Sequence, residues 1–273
     1  MTEYTVKKFM YNGNAYNLAI SCKVWYLDFL MVWGGGSGSS GTWTSNYYCS
    51  GWGWGGVMEC FCQAIFDNTY PVKIWIWGCA AQPWGNTEFY WLIAYGGGKW
   101  TCSTWQSGGS GSWGGTIGNC AWGLGCVWQG HNWGRSCNYG AGGWGWGWAA
   151  GCTAPWTCYW GAWGAGYLSC ISWEACYYAW GGWGAGCKWG GTWGIWGWGN
   201  WGGGAANYYW GWGGGSNKNS TNGGAWYQGI VIVRYPADGS YGFNRATWWN
   251  CCYLCNWNCV HIFTGDGIFT PVF

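Results

Sequence analysis

Near the C-terminal end, Cys251, Cys252, Cys255, Cys259 and His261 have the types and spacing of a metal site, a C-x2-C followed by C-x-H. Zinc accepts tetrahedral thiolate and imidazole ligands at such spacings, which makes Cys252, Cys255, Cys259 and His261 the candidate ligands. A bland reading competes with this one. His261 alternates along a predicted strand, where a histidine needs no metal to be satisfied, and a spacing match alone is only a hypothesis. The sequence thus leads us to expect no metal.

Other chemistry is weaker still. Cys126 and His131 would be a nucleophile and its base, but thiol activation needs a third orienting group and a formed pocket. The charged residue nearest to His131 is Arg135. Gly-x-Gly-x-x-Gly patterns are inevitable in a chain with 57 glycines among 273 residues, and none follows a strand and opens a helix with Lys-Ser/Thr. Asn219-Ser220-Thr221 is a formal glycosylation sequon that has meaning only in a eukaryotic secretory context. No catalytic residue and no cofactor are expected. Tryptophans offer the one plausible binding chemistry, stacking on sugar rings, with Trp144, Trp146, Trp148, Trp193, Trp196 and Trp198 as the candidate contacts. Their alternative fate is collapse on one another, because apolar surface without charge favours self-association.

The elements that must position such residues are constrained by an unusual composition. Gly 57, Trp 35 and Cys 18 stand beside a charged fraction of only 7%, where an ordinary domain has about 25%. A net charge of +2 gives no field to attract phosphates, so nucleic acid is not an expected partner. Half the residues are hydrophobic, which separates the chain from charge-rich disordered proteins. Glycine at this level removes core volume and raises the entropy lost on ordering; the aromatics, 23% of the chain, oppose that with large areas to bury. Glu3, Lys7, Lys8 and Lys23 interrupt the start of the chain, so no secretory signal is expected there. No window offers about 20 apolar residues free of glycine, and membrane insertion is not expected. The cysteines follow the Gly-rich tracts without a framework of their own, and their disulfide state stays open.

Charge placement divides the chain: from Trp100 to Asn217 only Arg135, Glu174 and Lys188 are charged. That middle reads as low-complexity Gly-Trp, Gly-Ala and Gly-Ser strings without helical periodicity. Strand signals lie outside it, at Val24 to Val32, Pro71 to Trp77, Phe89 to Tyr95 and Gly229 to Tyr235, each rich in β-branched or aromatic residues. Ile230 to Val233 are four β-branched residues in a row, which predicts a central strand buried on both faces. Tyr70-Pro71 and Tyr235-Pro236 fit strand edges, where a missing N–H is tolerated. Val6, Phe9 and Gly13 recur as Val260, Phe263 and Gly267 at one constant offset, the outline of a repeat cut short.

Several islands resemble the glycine-rich domains of bacteriophage tail proteins and related surface proteins: Tyr4 to Phe9, Leu27 to Gly36, Tyr70 to Ala81, Leu92 to Gly98, Gly223 to Pro236 and Val260 to Phe273. The last two are the most specific, and in that family a segment like the last opens a following copy of the domain. The resemblance implies that Cys251 to Cys259 lie in a Gly-rich linker. The chain departs from the family systematically. Trp or Cys stands where glycine would be ordinary, as at Trp33, Trp75, Trp77, Cys79, Trp122 and Cys126, and Tyr stands where Asp would be, as at Tyr90 and Tyr139. Gly to Trp, Gly to Cys and Asp to Tyr are each one G-to-T change at the first codon base. Natural divergence, a corrupted reading of a normal Gly-rich gene and deliberate alteration all account for this pattern.

The fold class expected is all-β, a jelly-roll-like β-sandwich carrying a long Gly-rich, irregular or polyproline-II-like insertion. Its divisions are 1–98, N-terminal strands with short Gly-rich loops; 99–228, the Gly/Trp/Cys-rich insertion; 229–250, closing strand and turn; and 251–273, linker and partial repeat of the first strand. The function implied by the resemblance is a non-enzymatic structural or host-attachment component of a phage tail in the virion. Its expected partners are two further copies in a trimer or other virion proteins, together with a cell-surface polysaccharide. The alternatives are a secreted bacterial adhesin or carbohydrate-binding module, and an altered Gly-rich sequence with no function of its own.

Overall fold

The computed structural model describes residues 8–11, 14–17, 25–33, 55–66, 68–75, 85–97, 108–109, 124–132, 166–178, 228–236, 246–247, 250–255 and 258–271. Among these the regular structure is all strand, every strand pair is antiparallel, and there is no helix. None is therefore long and apolar enough to cross a membrane.

The largest sheet has five strands. Its centre is β10 (Ile230–Pro236), flanked by β3 (Trp25–Val32) and β13 (Asn258–Phe263), with β4 (Val57–Ile65) and β12 (Asn250–Cys255) at the edges. Ile230, Val231, Ile232, Val233 and Tyr235 are all buried, as four consecutive β-branched residues require of a strand covered on both sides. Pro236 is the last residue of β10, where its missing N–H costs little.

On one face, Leu27, Phe29 and Met31 from β3 with Trp33 just beyond it, Val231, Val233 and Tyr235 from β10, and Cys259 and Phe263 from β13 form a cluster. The alternation is that of a pleated strand, where every second residue shares a face. Packed into the same cluster are Tyr70 and Val72 of β5 (Tyr70–Val72) with Ile74, Phe89 of β6 (Thr87–Phe89), Ala94 of β7 (Leu92–Ala94) and Phe269 of β14 (Gly267–Phe269). β14 lies between β5 and β11 (Ala246–Thr247), and Lys73 bridges to Glu88 so that β6 continues beside β5. Pro71 sits on β5, an edge of the three-stranded sheet.

The other face carries Leu30, Val32, Val57, Ile230, Ile232 and Val260, covered by Ile171 and Tyr178. Those two belong to a hairpin, β8 (Tyr167–Ser169) with β9 (Cys176–Tyr178). This corrects the expectation that strand signals lie outside 99–228: Tyr167-Leu168-Ser169 and Cys176-Tyr177-Tyr178 form strands within the low-complexity stretch. Aromatic and apolar side chains there find the sheet's second face, and tertiary burial decides what local composition does not.

Two further differences emerge. The predicted strand Phe89 to Tyr95 is two strands, because Tyr90 and Trp91 (φ 52 and 51) turn the chain between Phe89 and its partner Leu92. Residues 251–255, expected as linker, are β12, paired with β13 along its length. Residues 259–269 complete the sheets as β13 and β14. At the N-terminus, β1 (Lys8–Tyr11) and β2 (Asn14–Asn17) form a separate hairpin.

Two polar anchors hold the β8–β9 hairpin to the sheet. Glu59 on β4 accepts hydrogen bonds from Tyr167 Oη (2.7 Å) and Ser169 Oγ (2.5 Å); burial and this carboxylate push the Tyr167 phenol pKa upward. Arg234 on β10 donates from Nε and Nη2 to Asp28 Oδ2 (3.2 and 2.7 Å) and from Nη1 to the Cys170 carbonyl (3.1 Å), with Trp173 5.4 Å from the guanidinium. Asp28 Oδ1 also accepts the Cys62 N–H at 2.9 Å, where the β3–β4 register shifts. Asp28→Ala should therefore leave a partly buried guanidinium and a bulge N–H without their acceptor. The expected loss is about 2 kcal/mol, read as a lower denaturant midpoint.

Candidate functional site

Among the described residues, exposed apolar side chains and directed polar bonds come together in a cluster of loops at the start of β4, around β7. Residues 124–132 form a tight loop. The Gln129 and Gly130 N–H groups both donate to the Cys126 carbonyl (3.1 Å each), and Gly125 N–H donates to Asn132 Oδ1 (2.9 Å). Gln129 moors it. Its backbone carbonyl accepts the Val57 N–H (2.9 Å), its Oε1 accepts the Tyr95 N–H (2.9 Å), and its Nε2 donates to the Ile93 carbonyl (2.8 Å). The residue is buried, so these bonds replace water completely.

Backbones crowd where 108–109 joins this cluster. Gly109 N–H donates to the Gly96 carbonyl (2.7 Å), and a Cβ on Gly109 would lie 2.1 Å from Gly56 N. Only glycine permits that approach. The mooring leaves Leu124, Val127 and Trp128 pointing outward, with Trp128 94% exposed. Gln129→Ala should free the loop at a cost of about 2 kcal/mol, because two backbone groups lose their partners. The check is faster proteolytic cleavage within 124–132 in the folded protein.

Compared with known protein families, curated proteins and solved structures, the chain matches none.

β13 places Cys259 and His261 on the face that builds the core, both buried. His261 Nε2 is 2.7 Å from Tyr235 Oη, the rings stack, and Phe269 meets the imidazole edge-on. Burial lowers the His261 pKa from 6.5 to about 4, which keeps the ring neutral. Register sets Cys252 opposite His261 and Cys255 opposite Asn258. Positions 252 and 255 are three apart and so belong to opposite faces of the strand. Among the described residues, no group of three or more His, Cys, Asp or Glu could hold a metal ion.

Cys126 and His131 share the 124–132 loop, where the Cys126 backbone carries the turn and His131 is exposed. The saccharide candidates Trp144, Trp146, Trp148, Trp193, Trp196 and Trp198 lie outside the described residues. Sequence reasoning missed Gln129, Glu59 and the Asp28–Arg234 pair. Asp28 and Arg234 did carry a signal, each being the one charge inside a predicted strand; Gln129 carried none.

Proposed function

We propose that this protein is a non-enzymatic structural or host-attachment component of a phage tail. In this reading jelly-roll-like β-sandwich strands form a frame, and a Gly-rich insertion is displayed from it toward a cell-surface polysaccharide. The observation that carries the reading is the tethering of the insertion. Between Ala94 and Ile230 the chain returns to the strands at 108–109, at 124–132 through Gln129, and at 166–178 through Glu59 and Arg234. Display loops held on a rigid scaffold suit binding, since contacts then form with little ordering left to do.

Thiol state separates the virion reading from a secreted adhesin: assembly in a reducing cytoplasm predicts reduced cysteines, and secretion predicts disulfides. Counting thiols in the purified chain, Cys60, Cys62, Cys126, Cys170, Cys176 and Cys259 among them, is the check. The residues resembling phage tail domains support the virion class.

The test is adsorption of capsular polysaccharide, lipopolysaccharide and teichoic acid to the purified full-length chain. Saturable binding of one polymer, displaced by that polymer free in solution, is expected; a folded chain that retains none of them overturns attachment. Sedimentation should give three times the 30.2 kDa chain mass if the assembly is trimeric.

A further inference from the structure

We infer that the backbone of this protein is built for glycine at positions 62, 91, 128 and 173 and for Asp or Asn at position 90, so that Cys62, Tyr90, Trp91, Trp128 and Trp173 are replacements the fold tolerates under strain. These five are the non-glycine residues with positive φ among those described, at 51, 52, 51, 71 and 75°. Left-handed backbone places Cβ against the neighbouring carbonyl, and after glycine the types that ordinarily accept it are Asn and Asp. None of the five is either.

Each position has a local reason to be left-handed. Tyr90 and Trp91 are the two-residue loop of the β6–β7 hairpin with both φ positive, the type I′ geometry in which Asn-Gly or Asp-Gly is preferred. Trp128 is third in the turn closed by Gln129 N–H on the Cys126 carbonyl, with positive φ at that position alone, the place glycine takes in a type II turn. Trp173 closes a turn onto the Cys170 carbonyl (3.0 Å), at the position where type I turns favour glycine. Cys62 lies in the β4 bulge, where Phe61 and Cys62 together face Asp28.

Trp 35, Cys 18 and Tyr 20 make up about a quarter of the 273 residues, so five of five from these types would arise by chance about once in a thousand. One cause fits all five. Gly to Trp, Gly to Cys and Asp to Tyr each follow from a G-to-T change at the first codon base, and Asp-Gly becomes Tyr-Trp by two such changes. Of the glycine-like positions visible in the sequence, Trp33, Trp75 and Cys126 have ordinary φ. Trp33 is buried against Gly55. Backbone geometry therefore shares Tyr90 with the sequence reading and adds Cys62, Trp91, Trp128 and Trp173 to it. This inference stands apart from the attachment reading.

Cys62 and Trp128 are the clean positions for a test, because both are exposed; Tyr90 and Trp173 have gained packing, and the Trp91 ring rests on Tyr90. Full-length Cys62→Gly, Trp128→Gly and the double variant are compared with Cys62→Ala, Trp128→Ala and Phe61→Gly by denaturant unfolding. Each single glycine should raise the folding equilibrium constant about five- to thirtyfold. Alanine, which keeps a Cβ, should not, and Phe61→Gly, at a 60% exposed neighbour without positive φ, should lower it. Alanine matching glycine, or glycine lowering stability, overturns the inference. If the parent chain precipitates, the soluble fraction recovered on refolding is ranked instead: glycine above alanine supports the inference, and equality or the reverse order overturns it.

Discussion

Phe29→Ala should destabilise the protein by about 3–5 kcal/mol, a large part of the 5–15 kcal/mol typical of a domain. Phe29 is fully buried on β3, one strand from the sheet centre. Its ring meets Phe89 edge-on at 5.2 Å and Tyr90 at 6.0 Å. Removing it opens a cavity among residues of β3, β6 and β10, and strands paired on both sides cannot collapse to fill it. Phe29→Leu retains most of the volume and should cost well under half as much. The midpoint of chemical unfolding gives both values, and similar losses for Ala and Leu would argue that the cluster is loosely packed.

Acid should unfold the protein through His261. Burial holds its folded pKa at about 4 against 6.5 for a free imidazole. Between those values the unfolded chain takes up a proton that the folded chain refuses, so stability rises with pH across that window. The contribution is present in full above pH 6.5 and is lost as pH falls through 4, for a total of about 3 kcal/mol. The neutral ring sits beside Tyr235 Oη and Phe269, with Cys259 on the same face of β13. His261→Gln removes this titration, so the difference in unfolding free energy between parent and variant should shrink by about that amount from pH 7 to pH 4. A difference that stays constant with pH would mean that His261 is solvated.

Periodicity was legible where strands bury both faces or alternate cleanly. Ile230 to Val233 point to the central strand, and Val24 to Val32 mark β3 to within a residue. Turns were not legible. The β6–β7 hairpin is hidden because Tyr90 and Trp91 occupy a loop whose usual sequence would announce itself, and an unbroken apolar run results. β8 and β9 are too short and too deeply set in Gly-Trp sequence to stand out before the sheet that covers them is known. β12 is obscured by Cys251, Cys252 and Cys255, which the family resemblance reads as a linker and pairing with β13 makes a strand. Gln129 was beyond reach: its importance is three bonds to residues 34 to 72 positions away, and no local pattern records them.

The pairing of β3 with β10 sets a timetable for synthesis. Asp28 and Arg234 are 206 residues apart, and at about 5–20 residues per second β3 waits roughly 10–40 s for its central partner to leave the ribosome. During that interval β4 can zip to one side of β3, while the other side stays open with Leu27, Phe29 and Met31 uncovered. Two nascent chains on one messenger would present the same unpaired edge to each other. The sheet that is most buried in the finished molecule is thus the one most available for misassembly while it is being made.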